Sequence, residues 1–311
     1  MITFKHRLIK LIIILALVML MGLGGFFLLK MLYSYSIKGD TPTEGWLITQ
    51  YGGNDKPQMM FYTIVDPSGN LVVIDGGWGE LYPEVASVIR DYGWHVDAWI
   101  ITHPHYDHCG AFNAIMAEED LRRKIKIDHI YVTDVHEEAY EKSAKEYDNI
   151  DVYYKYKETI ADMDNVTVCH AGDEFNIIGL KMEVISAWDD NVDTFENNQC
   201  NDGSLLFKLS GENESMLFCS DVQKEMEQFI VPGNEEKLKA DYVQCGHHGN
   251  WGLTTEFYDI VDPKAAFMDS PSYILEDTEG YYDAPQLVEY FNNRGTAIYS
   301  FKDAPNTVNL Q

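Results

Sequence analysis

The sequence predicts an α/β fold in which two sheets pack against each other beneath flanking helices, a four-layer αββα arrangement. Three patterns carry that expectation. Short β-branched and aromatic runs alternate with helical stretches from Trp46 onward, an unbroken series of strands follows, and strand–helix alternation returns near the end.

The elements are read in order. MMFYTIVD, a turn at Pro67-Ser68-Gly69-Asn70, and LVVIDGG form a hairpin that runs into a glycine loop. LYPEVASVIRDYG is a helix closed by glycine, and VDAWIIT is the next strand. Helix is expected again from Gly110 to Glu119, HIYVTD is a strand, and the charged stretch Glu137 to Tyr147 is an exposed helix. Residues from there to Met163 give no clear pattern. VTVC, EFNII, LKMEVIS, SLLFKLS and SMLFCSD are strands separated by glycine, aspartate or asparagine turns. DYVQC, a helix over Thr254 to Val261, the strand KAAFMDS, a helix over Pro285 to Asn293 and the strand TAIYSF complete the series.

Ahead of these elements, Leu11 to Leu29 carry no charge and as a helix would span about 28 Å, close to the roughly 30 Å of a hydrocarbon core. Lys5, Arg7 and Lys10 precede the stretch, so the positive-inside bias keeps the amino terminus in the cytoplasm and turns the rest outward. A cleaved signal peptide is the competing reading, with a weak small-x-small site at Ser34 and Ser36. The expected organisation is an anchor or signal over 1–33, a linker over 34–45, and one domain over 46–311.

The 311 residues include 23 basic and 50 acidic ones, a net charge of −27. Such a surface repels polyanions, and no dense Lys/Arg cluster follows the apolar stretch, so a nucleic-acid-binding face is not expected. Cys109, Cys169, Cys200, Cys219 and Cys245 form no paired spacing, and an odd count argues against a disulfide framework. Cys109, Cys219 and Cys245 lie near candidate ligands, but small buried strand residues are the ordinary reading of such positions.

Chemistry concentrates in Thr102 to Gly110, THPHYDHCG, an HxHxDH string directly after a strand. His103 and His105 are two apart at the strand end and can project the same way, while the turn beyond brings Asp107 and His108 round to face them. Imidazole nitrogens and a carboxylate suit zinc, manganese or iron(II), and one such string can begin two neighbouring sites. Asp75 ends LVVID, where a carboxylate can orient a ligating histidine. Asp221 ends MLFCSD and could bridge two cations; His247 and His248 follow DYVQCG between two glycines that free the backbone to turn.

Through VIDGG, THPHYDH, LKMEVIS, SLLFKL, LFCSD and QCGHHGN, from about Trp46 to Asn309, the chain resembles the metallo-β-lactamase-fold hydrolases. It is most similar to the branch with the hydrolase domain of DNA-uptake competence proteins and secreted phosphorylcholine esterases. That branch replaces a superfamily histidine with a stretch ending NxxSL, here Asn201 to Leu205. The resemblance implies that His103 and His105 hold a first metal and Asp107 and His108 a second, bridged by Asp221. It implies His247 as the completing ligand of the first site, with His248 as the alternative ligand or a donor to substrate. Relatives often carry a late histidine before a proline; here GYYDAPQ offers Tyr282 or Asp283, which puts the second site in doubt. His170 precedes AGDEFNII rather than following LKMEVIS, and is read as an ordinary strand-end residue.

Two divalent cations, zinc before manganese or iron, would lower the pKa of a shared water towards neutrality and polarise the bond under attack. Asp107 would steer that water and shuttle its proton, and His248 would stabilise developing charge. The expected activity is an outward-facing, membrane-tethered phosphodiesterase or phosphoesterase acting on a small molecule or cell-envelope substrate. A cationic head group such as choline would be tolerated among the twenty tyrosines. The alternatives are a lactam, lactone or thioester hydrolase, which predicts an apolar pocket, and a non-catalytic binding or sensory module with a degenerate second site. Di-iron electron transfer is disfavoured because that class places glutamate where His105 stands. Oligomeric state has no signal in the sequence.

Overall fold

The computed structural model describes residues 38–311. Two seven-stranded mixed sheets form its interior. The first joins β1 (Trp46–Gln50), β2 (Phe61–Val65), β3 (Leu71–Asp75), β4 (His95–Ile101), β5 (Lys126–Thr133) and β6 (Val166–Cys169), with β14 (Asn306–Leu310) on the edge beside β1. The second joins β7 (Glu174–Ile177), β8 (Leu180–Ser186), β9 (Leu206–Ser210), β10 (Ser215–Phe218), β11 (Tyr242–Gln244), β12 (Ala265–Met268) and β13 (Ala297–Ser300) in sequence order. Each sheet begins antiparallel and becomes parallel, from β3 to β6 in one and from β10 to β13 in the other.

Alternation along the central strands explains the layering. Val72, Ile74, Ala98 and Ile100 join Tyr62, Phe207, Phe218 and Phe267 in the layer between the sheets. Val73, Trp99 and Ile101 face the other way, into the layer beneath the helices. Parallel strands covered on both sides need apolar residues at every position, which is what VVI and WII supply. In the inner layer Phe207 stacks on Phe218 at 5.1 Å and Tyr62 meets Phe218 edge-on at 5.4 Å, filling the space between sheets with rigid rings.

The main helices are α1 (Tyr82–Asp91), α2 (Tyr106–Ala117), α3 (Asp151–Ala161), α4 (Thr255–Val261) and α5 (Ala284–Arg294). Three differences from the sequence reading bear on function. Helix α2 begins at Tyr106 rather than Gly110, so Asp107 and His108 sit on its first turn instead of in a preceding loop. The helix expected over Glu137 to Tyr147 stops at Ser143, and a 3-10 turn over Glu146–Asp148 brings Asp148 inward before α3. Strand β14 escaped notice because Asn306-Thr307-Val308-Asn309-Leu310 is half polar; its alternate residues Asn306, Val308 and Leu310 are buried.

The expected membrane span over 11–29 lies outside the described residues. Among the described residues no helix is long and apolar enough to cross a membrane.

Candidate metal centre

Both sheets present the carboxyl ends of their parallel strands to one edge, and every candidate ligand stands there. Open parallel sheets bind ligands at such ends because loops diverge and backbone groups are left to aim outward. Asp75 closes β3, His103 and His105 follow β4, Asp221 follows β10, and His247 and His248 follow β11.

Asp75 organises the first sheet's contribution. Its Oδ1 accepts from the Thr102 backbone N–H and its Oδ2 from the Thr102 hydroxyl, both at 2.8 Å. Oδ2 also lies 2.8 Å from His108 Nδ1. This is the orienting role expected of it. With its Nδ1 given to Asp75, His108 turns Nε2 towards Asp221 Oδ1 at 3.2 Å and His248 Nε2 at 3.3 Å. His105 is held in the opposite sense. Its Nε2 lies 3.2 Å from Asp148 Oδ1, which leaves Nδ1 for a cation.

Asp221 faces ligands from both sites. Its Oδ2 is 3.8 Å from His103 Nε2, 3.4 Å from His248 Nε2 and 4.0 Å from His247 Nε2. His248 Nε2 also lies 3.3 Å from Asp107 Oδ2. Three groups converge closely enough for a shared cation: His103, His108 and Asp221; Asp107, His108 and His248; and His103, His105 and Cys200.

Burial fits these residues to metal. His103 Nε2 and Asp221 Oδ1 are buried without a hydrogen-bond partner, and orphaned polar atoms in a protein interior are costly unless something else binds them. Burial and the neighbouring His108 hold the His103 imidazole well below its usual pKa, so it is neutral and can donate a lone pair. Burial opposes the charged form of His248, but Asp221 and Asp107 outweigh it and push the imidazole up to about 9. His108 is raised in the same way, against burial, by Asp221 and Asp75. For Asp221, burial would raise the carboxyl, but His108 and His248 hold it well below its usual range. The centre thus favours positive charge among fixed carboxylates, which is what a divalent cation supplies.

Two sequence expectations change. His248, rather than His247, joins the ligand groups. Both residues have left-handed backbones (φ 50° and 62°), so their rings diverge, and His247 gives its Nδ1 side to the Asn250 carbonyl while its Nε2 remains on the pocket wall. Asp283 does not stand in for a late histidine either. Its Oδ1 accepts from the Trp251 backbone N–H and it precedes α5, pinning the loop after His248. Tyr282 packs against Trp251 at 5.7 Å. Neither belongs to a ligand group among the described residues, whereas Asp107, His108 and His248 form one without them.

Sequence reasoning missed Asp148, Cys200 and a supporting chain beneath Asp221. Gln244 Oε1 accepts the Ser220 backbone N–H at 2.7 Å, and Gln244 Nε2 donates to Asp269 Oδ2 at 3.1 Å. Asp269 is itself bonded by Gln50 and Tyr62, each at 2.6 Å. Buried polar residues on strands ending at the site were the available signal. Beside the centre opens a cavity of about 650 Å³ reached by His105, Asp107, Asp221 and His247, with Trp78, Tyr106, Tyr147 and Trp251 on its walls and Lys224, Asn149, Asn198 and Asn201 among its polar groups.

Comparison with known proteins agrees with this picture. ComE operon protein 3 of Bacillus subtilis (strain 168) is 26% identical over 176 residues, 56% of this chain; the match takes in 20% of that relative's length. The metallo-beta-lactamase fold protein YhfI from Bacillus subtilis superposes with a TM-score of 0.51 at 10% identity, covering 85% of this chain and all of YhfI. CmlA, a diiron β-hydroxylase from Streptomyces venezuelae, gives a TM-score of 0.54 at 12% identity, covering 88% of this chain and 55% of CmlA. Residues 58–185 match the model of the metallo-beta-lactamase superfamily, and the two-sheet architecture around them is the fold that these solved structures share.

Proposed function

We propose that this chain is a metal-dependent phosphoesterase, acting on phosphodiesters of the cell envelope or on small phosphoesters outside the cytoplasm, and tethered there by residues 11–29. The observation that carries the reading is the convergence of His103, His105, Asp107, His108, Asp221 and His248, several with orphaned buried atoms, beside a pocket with both aromatic and phosphate-compatible groups.

His103 and His105 would hold one cation, Asp107, His108 and His248 the other, with Asp221 facing both. When bound, such a pair of cations polarises a phosphoryl oxygen and supplies a nucleophilic water at neutral pH. The chain's own residues do the rest. Asp107, mostly buried but lining the pocket, would hold and pass on the proton released at the nucleophile. Lys224 and the asparagine amides face the anionic oxygens, and the rim of Trp78, Tyr106, Tyr147 and Trp251 suits a cationic leaving group through its ring faces. Imidazole-rich donors suit zinc, manganese or iron; CmlA, of similar fold, is a diiron protein, so iron competes with zinc as the resident metal.

A lactam or lactone hydrolase predicts an apolar pocket without phosphate-binding groups, and Lys224 with three asparagines favours the phosphoester reading. The test is turnover of a bis-aryl phosphate, a phosphorylcholine ester, a lactam and a lactone by metal-reconstituted protein, with Asp107→Ala as control. Phosphoester turnover that falls at least a hundredfold in the variant is expected. Lactam turnover with inert phosphoesters, or full activity in the variant, overturns the assignment.

A further inference from the structure

Cys200 is fully buried, and its ligand atom lies within 4.8 Å of those of His103 and His105. An independent observation points at the same spot. His103 Nδ1 is placed beside the Thr102 and Ser220 hydroxyls at 3.2 and 3.4 Å, while its Nε2 is fully buried and has no hydrogen-bond partner. His105 offers Nδ1, since Asp148 holds Nε2. Two imidazole nitrogens alone fall short of the three or four protein ligands that zinc sites use.

Resting on the metal-hydrolase reading above, we propose that the Cys200 sulfur is a ligand of the cation held by His103 and His105. The thiol loses its proton to solvent as the metal binds, and the sulfur–metal bond takes its place. The two sites then differ in kind. The first has two nitrogens and one sulfur, a soft set that selects zinc over manganese or magnesium; the second, with Asp107, His108, His248 and the nearby Asp221, is richer in carboxylate and accepts harder ions.

The segment carrying Cys200 is fixed from both sides, as a ligand must be. Asn198, in a left-handed conformation (φ 56°), starts the short turn Gln199–Asp202. Gln199 Nε2 donates to the Phe195 carbonyl, Asp202 Oδ1 accepts the Gln223 N–H, and the Thr133 hydroxyl donates to the Gly203 carbonyl. A Cβ on Gly203 would meet the Trp188 ring at 2.3 Å, so the chain is packed hard against that indole. The other four cysteines, though buried, join no ligand group among the described residues.

The experiment uses the full chain loaded with zinc, and separately with cobalt(II), each to a measured metal-to-protein ratio. Zinc-edge X-ray absorption should show a sulfur scatterer at about 2.3 Å, and the cobalt protein should show an intense near-ultraviolet sulfur-to-cobalt charge-transfer band. In Cys200→Ser both signals should vanish while metal still binds, with first-site affinity weakened about tenfold or more; unfolding in chelator checks that the variant folds. Metal-loaded wild type with nitrogen and oxygen scatterers alone overturns the proposal and leaves the hydrolase reading standing, as does sulfur that persists in Cys200→Ser. Wild type that takes up no metal overturns both. Should Cys200→Ser fail to fold, the wild-type spectra decide.

Discussion

His105 shows how a ligand's direction is set by a residue the local motif does not contain. In HxHxDH the spacing alone places His103, His105, Asp107 and His108 near one another, and that much was legible because the string is contiguous and follows a strand. Asp148, which fixes the His105 ring through Nε2 at 3.2 Å, is 43 residues away in a stretch with no readable pattern, and only the fold brings it in. Asp148→Asn should therefore lower metal affinity about 10- to 100-fold with the fold intact, measured by competition with a chromogenic chelator; unchanged affinity would show that the ring needs no such support. The choice between His247 and His248 was likewise invisible in Gly-His-His-Gly, because two left-handed residues in succession decide it. Under the geometry found, His248→Ala removes one of two bound metals and His247→Ala retains both, as read by metal analysis after gel filtration. The reverse result would return the ligand role to His247.

Helix α2 carries Asp107 and His108 on its first turn, so its seating against the loop after β3 sets their position. Gly110 makes that seating possible. A Cβ there would lie 2.5 Å from the Gly79 backbone nitrogen and 3.0 Å from the Trp78 carbonyl carbon, neither of which can swing aside as a side chain would. Gly110→Ala should cost about 1–3 kcal/mol in urea-unfolding stability and weaken the second site more than the first, because the helix must lift away from the turn that holds it. A neutral effect would mean that the helix tolerates a shift of several tenths of an ångström. The apolar runs of β3, β4 and β10 made the sheets readable from sequence, and their terminal aspartates marked the functional edge. What stayed hidden at this scale were elements built on tertiary contacts: the 3-10 turn of Asp148, and edge strand β14, whose Thr307 and Asn309 look outward.

The two sheets are held together chiefly by the apolar layer between them, yet the candidate ligands come from both. His103, His105, Asp107 and His108 follow strand β4 of the first sheet; Asp221 and His248 follow strands β10 and β11 of the second. A cation bound between them cross-links the sheets at their carboxyl edge, and its binding free energy adds directly to folding stability because the unfolded chain cannot present that arrangement. With each metal at about a hundred times its dissociation constant, each site contributes about 2.7 kcal/mol. Removing both then costs about 5 kcal/mol, which for a domain of this size corresponds to a fall in melting temperature of about 10–20 °C. Chelator should produce that fall in wild type and a smaller one in Asp221→Asn, which loses the residue common to both sites. The metal-free variant should melt below metal-free wild type, since Asp221 there is paired with the His108 and His248 imidazoles and Asn leaves them without that counter-charge. Equal melting temperatures with and without chelator, in protein shown to have been loaded beforehand, would mean that the sheets reach the same stability without any cation between them.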